Sequence, residues 1–382
     1  MRAFVFTDPS LTRQAGRFVW LSIDTENARN AEFLKKYPVN VWPSMFVIDA
    51  ATETAAMRWV GGATAPQLAK ILDDGRQAAA SSHNAFERTL ALADRDYARG
   101  KNAEAAKGYR SALALAPRGW SREGRTIESL LFALESSDDA AGCATTARDA
   151  FRRLRGSPSA ANIAASGLGC ALELPPEAAG RKELIAELEK DTLAQMSDKR
   201  VTMSGDDRSG MFQALIGARE DAKDEPGRER LTREWSDFLD AEAAKAKTPD
   251  ARAVYDSHRL SAYIARKEPQ RAIPMLEASE RDLPHDYNPP ARLAVAYKEM
   301  HEWDKAIAAS DRALAKAYGP RRLGILRTRA EIFQGKGDTA AARSALEQAV
   351  REAEALPEGQ KSAGMTASLR KKLEALDKAE TR

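Results

Sequence analysis

Three alanines, Ala272, Ala306 and Ala342, recur at intervals of 34 and 36 residues, each inside the same local pattern. Leu260, Tyr263, Ala272, Leu276 and Pro284 form one unit. Leu293, Ala294, Tyr297, Ala306 and Ala313 form a second, and Ala330, Phe333, Ala342, Leu346 and Ala349 a third. A fourth lies far upstream. Phe86, Leu90, Ala93 and Tyr97 recur at helical spacing, Gly100-Lys101-Asn102 turns the chain, and Ala105, Tyr109 and Ala112 begin a second helical face that Pro117 closes. A period near 34 residues carrying two helical stripes describes helix pairs that bury their apolar faces only by stacking on one another. Alanine at a fixed place in each pair lets the two helices cross closely. The abundance of alanine and the 7% aromatic content suit short close-packed helices better than a large sheet.

In spacing and in the placing of small residues these units resemble tetratricopeptide (TPR) repeats. The resemblance implies an all-α solenoid with one repeat over 84–118 and three over 251–356. Between them, residues 119–250 are predicted to hold degenerate helical repeats, with helices over Asp139–Leu154, Ser159–Leu174, Glu177–Ala194, Arg208–Ala222 and Arg228–Ala246. Gly156-Ser157-Pro158, Pro175-Pro176, Ser204-Gly205-Asp206-Asp207 and Pro226-Gly227 separate them. A separate helical bundle is the alternative for this stretch. Residues 357–382 supply a capping helix, Ala367 to Ala379.

The first 75 residues read differently. Asp8-Pro9-Ser10-Leu11 opens a short helix toward Ala15. Phe18 to Asp24 is a continuous apolar run, predicted to be a strand covered on both faces. Ala31 to Tyr37 is a short helix stopped by Pro38. Val41-Trp42-Pro43-Ser44 turns into a second strand, Met45 to Asp49, and Ala50 to Thr54 makes a hairpin into Met57, Trp59 and Val60. After Gly61-Gly62, a capping box over Thr64 to Gln67 starts a helix expected to run from Ala65 to Leu72 and to end at Gly75. Strand, helix, Pro-turn, strand, hairpin, strand and helix follow in the order of the second half of a thioredoxin-like domain, which this stretch resembles. The resemblance makes residues 1–75 a thioredoxin-like domain missing its first strand and its Cys-x-x-Cys motif. The fold class is then an α/β thioredoxin-like partial domain followed by an all-α TPR-like solenoid, predominantly helical.

The same resemblance implies a cis bond at Trp42-Pro43, with Val41, Trp42 and Pro43 forming a loop that docks an extended peptide as an added strand. A trans proline that merely starts a strand is the alternative. In the family, the strand leading into the cysteines lies between those matched here by Phe18–Asp24 and Ser44–Ile48. Its loss leaves ladder groups that must pair with each other or go unsatisfied, at about 1–3 kcal/mol for each buried orphan. The chain is therefore expected either to continue upstream of Met1 into a Cys-x-x-Cys segment or to be a shortened remnant kept for docking.

No residue set carries recognisable catalytic chemistry. Cys143 and Cys170 lie in helical sequence far from the thioredoxin-like part and are read as two small buried residues, since two cysteines make no disulfide framework. His83, His258, His285 and His301 lack metal-ligand spacing, so no metal or cofactor is expected. Asp206-Asp207 reads as a helix cap. Gly335-Lys336-Gly337-Asp338 reads as a turn between repeat helices, not a phosphate loop. Arg148, Arg152 and Arg155 make a basic stripe, read as a solvated face, with an acidic peptide as the alternative partner. With 59 basic and 56 acidic residues the net charge is +3, which draws the chain toward neither nucleic acid nor lipid. No apolar run reaches the ~20 residues needed to cross a bilayer, and the location is read as cytoplasmic as written, extracytoplasmic if a leader precedes Met1. The functional expectation is a redox-inactive protein-binding scaffold whose partners, proteins or peptides, occupy the concave face of the repeats. The alternative is a thiol–disulfide oxidoreductase with its Cys-x-x-Cys upstream and the repeats selecting substrates.

Overall fold

A computed structural model describes residues 4–39, 41–80, 85–117 and 119–380, with side chains to residue 376. The chain is predominantly helical. It divides into two compact units, the first comprising Val39–Trp235 with the N-terminal stretch up to Val19, the second Trp20–Pro38 with Ser236 onward. The division near Trp235 falls inside one long helix.

The elements follow in order. Helix α1 is Ala31–Lys36, strands β1 and β2 are Ser44–Asp49 and Thr54–Val60, and α2 is Ala65–Ala80. Then come α3 (Ala85–Ala98), α4 (Asn102–Leu115), α5 (Glu123–Glu135), α6 (Ala140–Leu154), α7 (Ser159–Glu173), α8 (Arg181–Ser197), α9 (Gly205–Asp221) and α10 (Glu225–Lys245). The second unit continues through α11 (Pro249–Ala253), α12 (Asp256–Ala265), α13 (Ala272–Asp282), α14 (Asn288–Glu299), α15 (Trp303–Lys316), α16 (Arg321–Lys336), α17 (Thr339–Ala355) and α18 (Ala363–Glu380). Helix α5 has no counterpart in the sequence reading. The last helix starts four residues earlier than expected.

In the first unit β1 and β2 pair antiparallel, Ser44 opposite Val60 and Met45 opposite Trp59, with an irregularity between Val47 and Ile48. This pair is the whole sheet among the described residues. Helix α2 lies on it, packing Leu68, Ala69 and Leu72 with Val5 and Leu11, and Ile71 with Met57 and Ala63. The cap foreseen at its start is present: Thr64 N–H donates to Gln67 Oε1 (2.7 Å).

Two expectations for this region are corrected. Phe18–Asp24 forms no strand; it is irregular, with Val19, Trp20 and Leu21 at 88%, 50% and 69% exposure. A continuous apolar run becomes a strand only beside a ladder partner, and β1 and β2 take each other. Gly75 does not end α2, which continues to Ala80. A Cβ at Gly75 would lie 2.5 Å from Val47 Cγ2, so glycine here sets how closely helix and strand approach.

From α3 to α9 each helix packs on the next. Ala93 on α3 meets α4 at Gly108, and Ala105, Tyr109 and Ala112 of α4 are fully buried. Cys143 and Cys170, expected as two separate thiols, are joined in a disulfide between α6 and α7, their Cα atoms 6.0 Å apart. Close crossing of those two helices, with Ala147 against Gly167, brings together residues 27 apart in sequence.

In the second unit α12 and α13, α14 and α15, and α16 and α17 form successive helix pairs, each touching the next, and α18 packs on α17. Ala272, Ala306 and Ala342 are all completely buried, in cores that also hold Leu260, Tyr263, Leu293, Leu346 and Leu369. The stretch Trp20–Pro38 belongs to this unit. Tyr318 donates to Asp24 Oδ2 (2.6 Å), Arg321 pairs with Glu26 (2.8 Å) and Gln360 donates to the Thr25 carbonyl (2.8 Å). Gly319, at φ 58°, passes so close to the Glu26 backbone that a side chain has no room there.

Two substitutions test this packing. Gly75→Ala favours helix by about 1 kcal/mol intrinsically, yet overpacking against Val47 costs about 1–3 kcal/mol. Urea unfolding is expected to show a net loss. Replacing Cys143 and Cys170 together by Ser opens a loop of 27 residues and is expected to lower stability by about 3 kcal/mol in the same measurement.

Candidate functional site

The residues singled out from sequence for peptide docking lie at the start of β1. The Trp42-Pro43 bond is cis. Trp42 is half exposed, the Val41 carbonyl accepts from Ser44 Oγ (2.7 Å) and the Pro43 carbonyl accepts from Gly61 N–H (2.8 Å). Each carbonyl retains a second lone pair.

A second site was not foreseen from sequence. In the first unit β2, α2, α3, the approach to α5 and the start of α7 enclose a cavity of about 200 Å³. Its apolar lining includes Met57, Trp59, Ile71, Leu90, Trp120 and Leu154. Its polar lining centres on three arginines, each under a tenth exposed: Arg58 from β2, Arg122 just before α5 and Arg125 in its first turn. Aromatic faces hold all three guanidinium planes. Arg125 lies over Trp59 (4.9 Å), Arg122 over Trp120 (4.9 Å) and Arg58 over Tyr97 (5.2 Å).

Several carboxylates stand among them. Glu87 pairs with Arg122, Lys70 with Asp74 (3.6 Å), and Arg153 with Glu123 (3.3 Å). Deeper in, Tyr109 donates its hydroxyl to Asp94 Oδ1 (2.7 Å), and Asn162 donates to Glu128 Oε2 (3.2 Å), which also lies 3.9 Å from Arg125 Nη1. Burial pushes the Glu128 carboxyl up to about 7, with Arg125 opposing the rise. Burial also raises Asp94, against the Tyr109 hydrogen bond and Arg58, and lowers Arg58. Buried polar atoms around this cavity that make no hydrogen bond include Arg122 Nη1, Arg125 Nε and Nη1, and Ser157 Oγ. The sequence signal that marks the place is Trp120-Ser121-Arg122-Glu123-Gly124-Arg125, two arginines three apart beside a tryptophan.

The remaining sequence candidates are structural. Ser204 and Asp207 form a reciprocal capping box on α9. Gly337 is left-handed at the end of α16, and Asp338 caps α17. Arg152 pairs with Glu187 and Arg148 with Asp149 (3.0 Å), so the basic stripe is a neutralised surface. Among the described residues no group of His, Cys, Asp or Glu is arranged to hold a metal ion, and no helix is long and apolar enough to cross a membrane.

No family model matches the sequence, and no curated protein matches it. Solved structures it is similar to include tetratricopeptide repeat proteins. One, from Parabacteroides merdae, shares 11% identity over 76% of this chain and 98% of its own, with a TM-score of 0.45. The TPR2AB-domain:pHSP90 complex of yeast Sti1 shares 14% over the same proportions, with a TM-score of 0.27. A thermophilic TPR protein of Thermus thermophilus shares 15% over the same proportions, with a TM-score of 0.28. The helix-pair architecture rests on the contacts described above.

Protonated Glu128 stabilises the fold fully below about pH 4.5, and that contribution is lost as pH rises through about 7. Glu128→Gln is therefore expected to reduce the drop in unfolding free energy between pH 5 and pH 8 by roughly 2 kcal/mol, read from urea titrations of both proteins.

Proposed function

We propose that this chain is a protein-binding scaffold that holds extended segments of partner proteins along its stacked helix pairs. The observation that carries this reading is the stacking in the second unit. The first helices of the three pairs, α12, α14 and α16, touch one another in succession, while the second helices meet chiefly their own partner and the helix that follows. Tighter spacing on one side of a stack curves it toward that side, which supports a concave face of the kind expected of a repeat array.

The hairpin preceded by a cis proline and followed by α2 is in keeping with a thioredoxin-derived remnant, in which Val41, Trp42 and Pro43 beside the open edge of β1 dock a peptide as an added strand. The two cysteines do not serve disulfide exchange in this reading. Their sulfurs are buried between α6 and α7, and an exchanging cysteine needs an accessible thiolate. A structural disulfide of this kind favours an oxidising, extracytoplasmic compartment over the cytoplasm.

Overlaying a peptide array with the purified chain tests the scaffold. Sequence-selective binding is expected, lost on scrambling, with Trp42→Ala weakening the peptides that use the β1 edge by about tenfold. Equal binding to parent and scrambled peptides overturns the reading. The parent protein is expected to show no more turnover in insulin reduction than its Cys143→Ser/Cys170→Ser variant; turnover by the parent that the variant lacks would overturn the redox-inactive reading.

A further inference from the structure

We propose that the arginine-lined cavity of the first unit binds a small organic monocarboxylate. Its carboxylate would rest on the Arg122 and Arg125 guanidinium edges, with its hydrocarbon part against Trp59, Ile71, Leu90 and Leu154.

The argument begins with donors. Arg125 is 7% exposed, yet its Nε and Nη1 protons have no acceptor, and Arg122 Nη1, in a side chain 6% exposed, is in the same position. Leaving a buried guanidinium proton without an acceptor is costly, the more so on a charged group, so a site that retains such protons is suited to receive an acceptor. Trp59 and Trp120 lie against the two guanidinium groups, 4.9 Å from ring centroid to Cζ in each case, and restrain them before anything binds. Their hydrogen-bonding edges therefore need little reordering to grip a planar carboxylate. Ser157 Oγ, another buried group without a partner, adds a hydroxyl donor on the same lining.

Charge then selects the class. Lys70, Arg122 and Arg153 already pair with Asp74, Glu87 and Glu123. That leaves Arg58 and Arg125 facing Asp94 and Glu128. Burial raises both carboxyls toward their neutral forms, so the inner arginines suit one further negative charge better than a phosphate dianion. Volume selects the size. A dry apolar cavity of about 150 Å³ accommodates benzene, so the 200 Å³ here suits an acid with a phenyl-sized or branched aliphatic tail. Such an acid can arrive free or as the C-terminal carboxylate of a peptide whose last side chain fills the apolar wall. This goes beyond the scaffold reading and does not depend on it, because every residue invoked lies in the first unit.

The test uses the full chain and its own fluorescence, since Trp59 and Trp120 line the cavity. Sodium 3-phenylpropionate is expected to change the tryptophan emission saturably with a dissociation constant below about 1 mM, and 3-phenylpropanamide to bind at least about tenfold more weakly. Arg125→Met keeps the aliphatic stem and removes the donors. It is expected to abolish the response to the acid with an unchanged circular dichroism spectrum; should it fail to fold, Leu154→Phe, which fills the cavity from its apolar side, is expected to do the same. A peptide ending in free Phe, compared with its C-terminal amide, separates the sources. Binding of that peptide tighter than phenylpropionate assigns the site to a chain terminus, and weaker binding assigns it to free acids. The proposal is overturned if acid and amide bind alike, if inorganic phosphate binds more tightly than the acid, or if no probe binds at millimolar concentration and the cavity holds water only.

Discussion

Close crossing of helices at alanine and glycine positions is the constraint on which the rest of this chain depends. Ala105, Ala112, Ala147, Ala272, Ala306 and Ala342 are all fully buried, and Ala93 and Ala147 stand against Gly108 and Gly167 of the neighbouring helix. An alanine buries little apolar area, so no single contact secures a helix. Stability has to come from repetition of the same crossing along the chain. Larger side chains, such as Leu276 and Leu346, then fill the spaces between crossings.

Arginine supplies a second repeated device in both units. Arg181, at the start of α8, donates to the Leu172 and Leu174 carbonyls at the end of α7 and pairs with Asp221 on α9 (2.6 Å). Arg322, at the start of α16, donates to the Leu314 carbonyl in the last turn of α15 and pairs with Glu352 on α17 (2.8 Å). One guanidinium thus caps the carbonyl end of the preceding helix and ties down the one that follows. Its five-donor fork can do both at once, which a lysine ammonium cannot reproduce in the same plane.

Where the β-hairpin and α2 meet the helices, this regular packing breaks. A strand presents Arg58 and Trp59 to a surface made of α3 and the approach to α5, and small residues cannot close the space between such different shapes. The result is a cavity with arginines lying over aromatic rings and carboxyls whose pKa values burial raises. Buried charge at this density is rare in a repeat core, where like elements fit against like. Here it gathers at the junction of unlike elements, which is why the chain's distinctive chemistry lies there and not within the repeats.

The alanine spacing, the proline and glycine breaks and the alternation of the hairpin were enough to place nearly every helix from α3 to α18, both strands and the proline turn that precedes the first, because each is a local pattern of period and punctuation. What the sequence could not settle required knowledge of neighbours. Phe18 to Asp24 has a strand's composition but stays irregular, and its end runs into Asp24, Thr25 and Glu26, which contact Tyr318, Gln360 and Arg321 some three hundred residues away. Gly75 looks like a helix end until Val47 is seen against it. Cys143 and Cys170 become a disulfide only because α6 and α7 cross where they do. The arginine cavity is assembled from β2, α2, α3, α5 and α7, whose side chains share no period. Local periodicity fixes the elements, whereas burial and pairing are properties of the surfaces those elements turn toward one another.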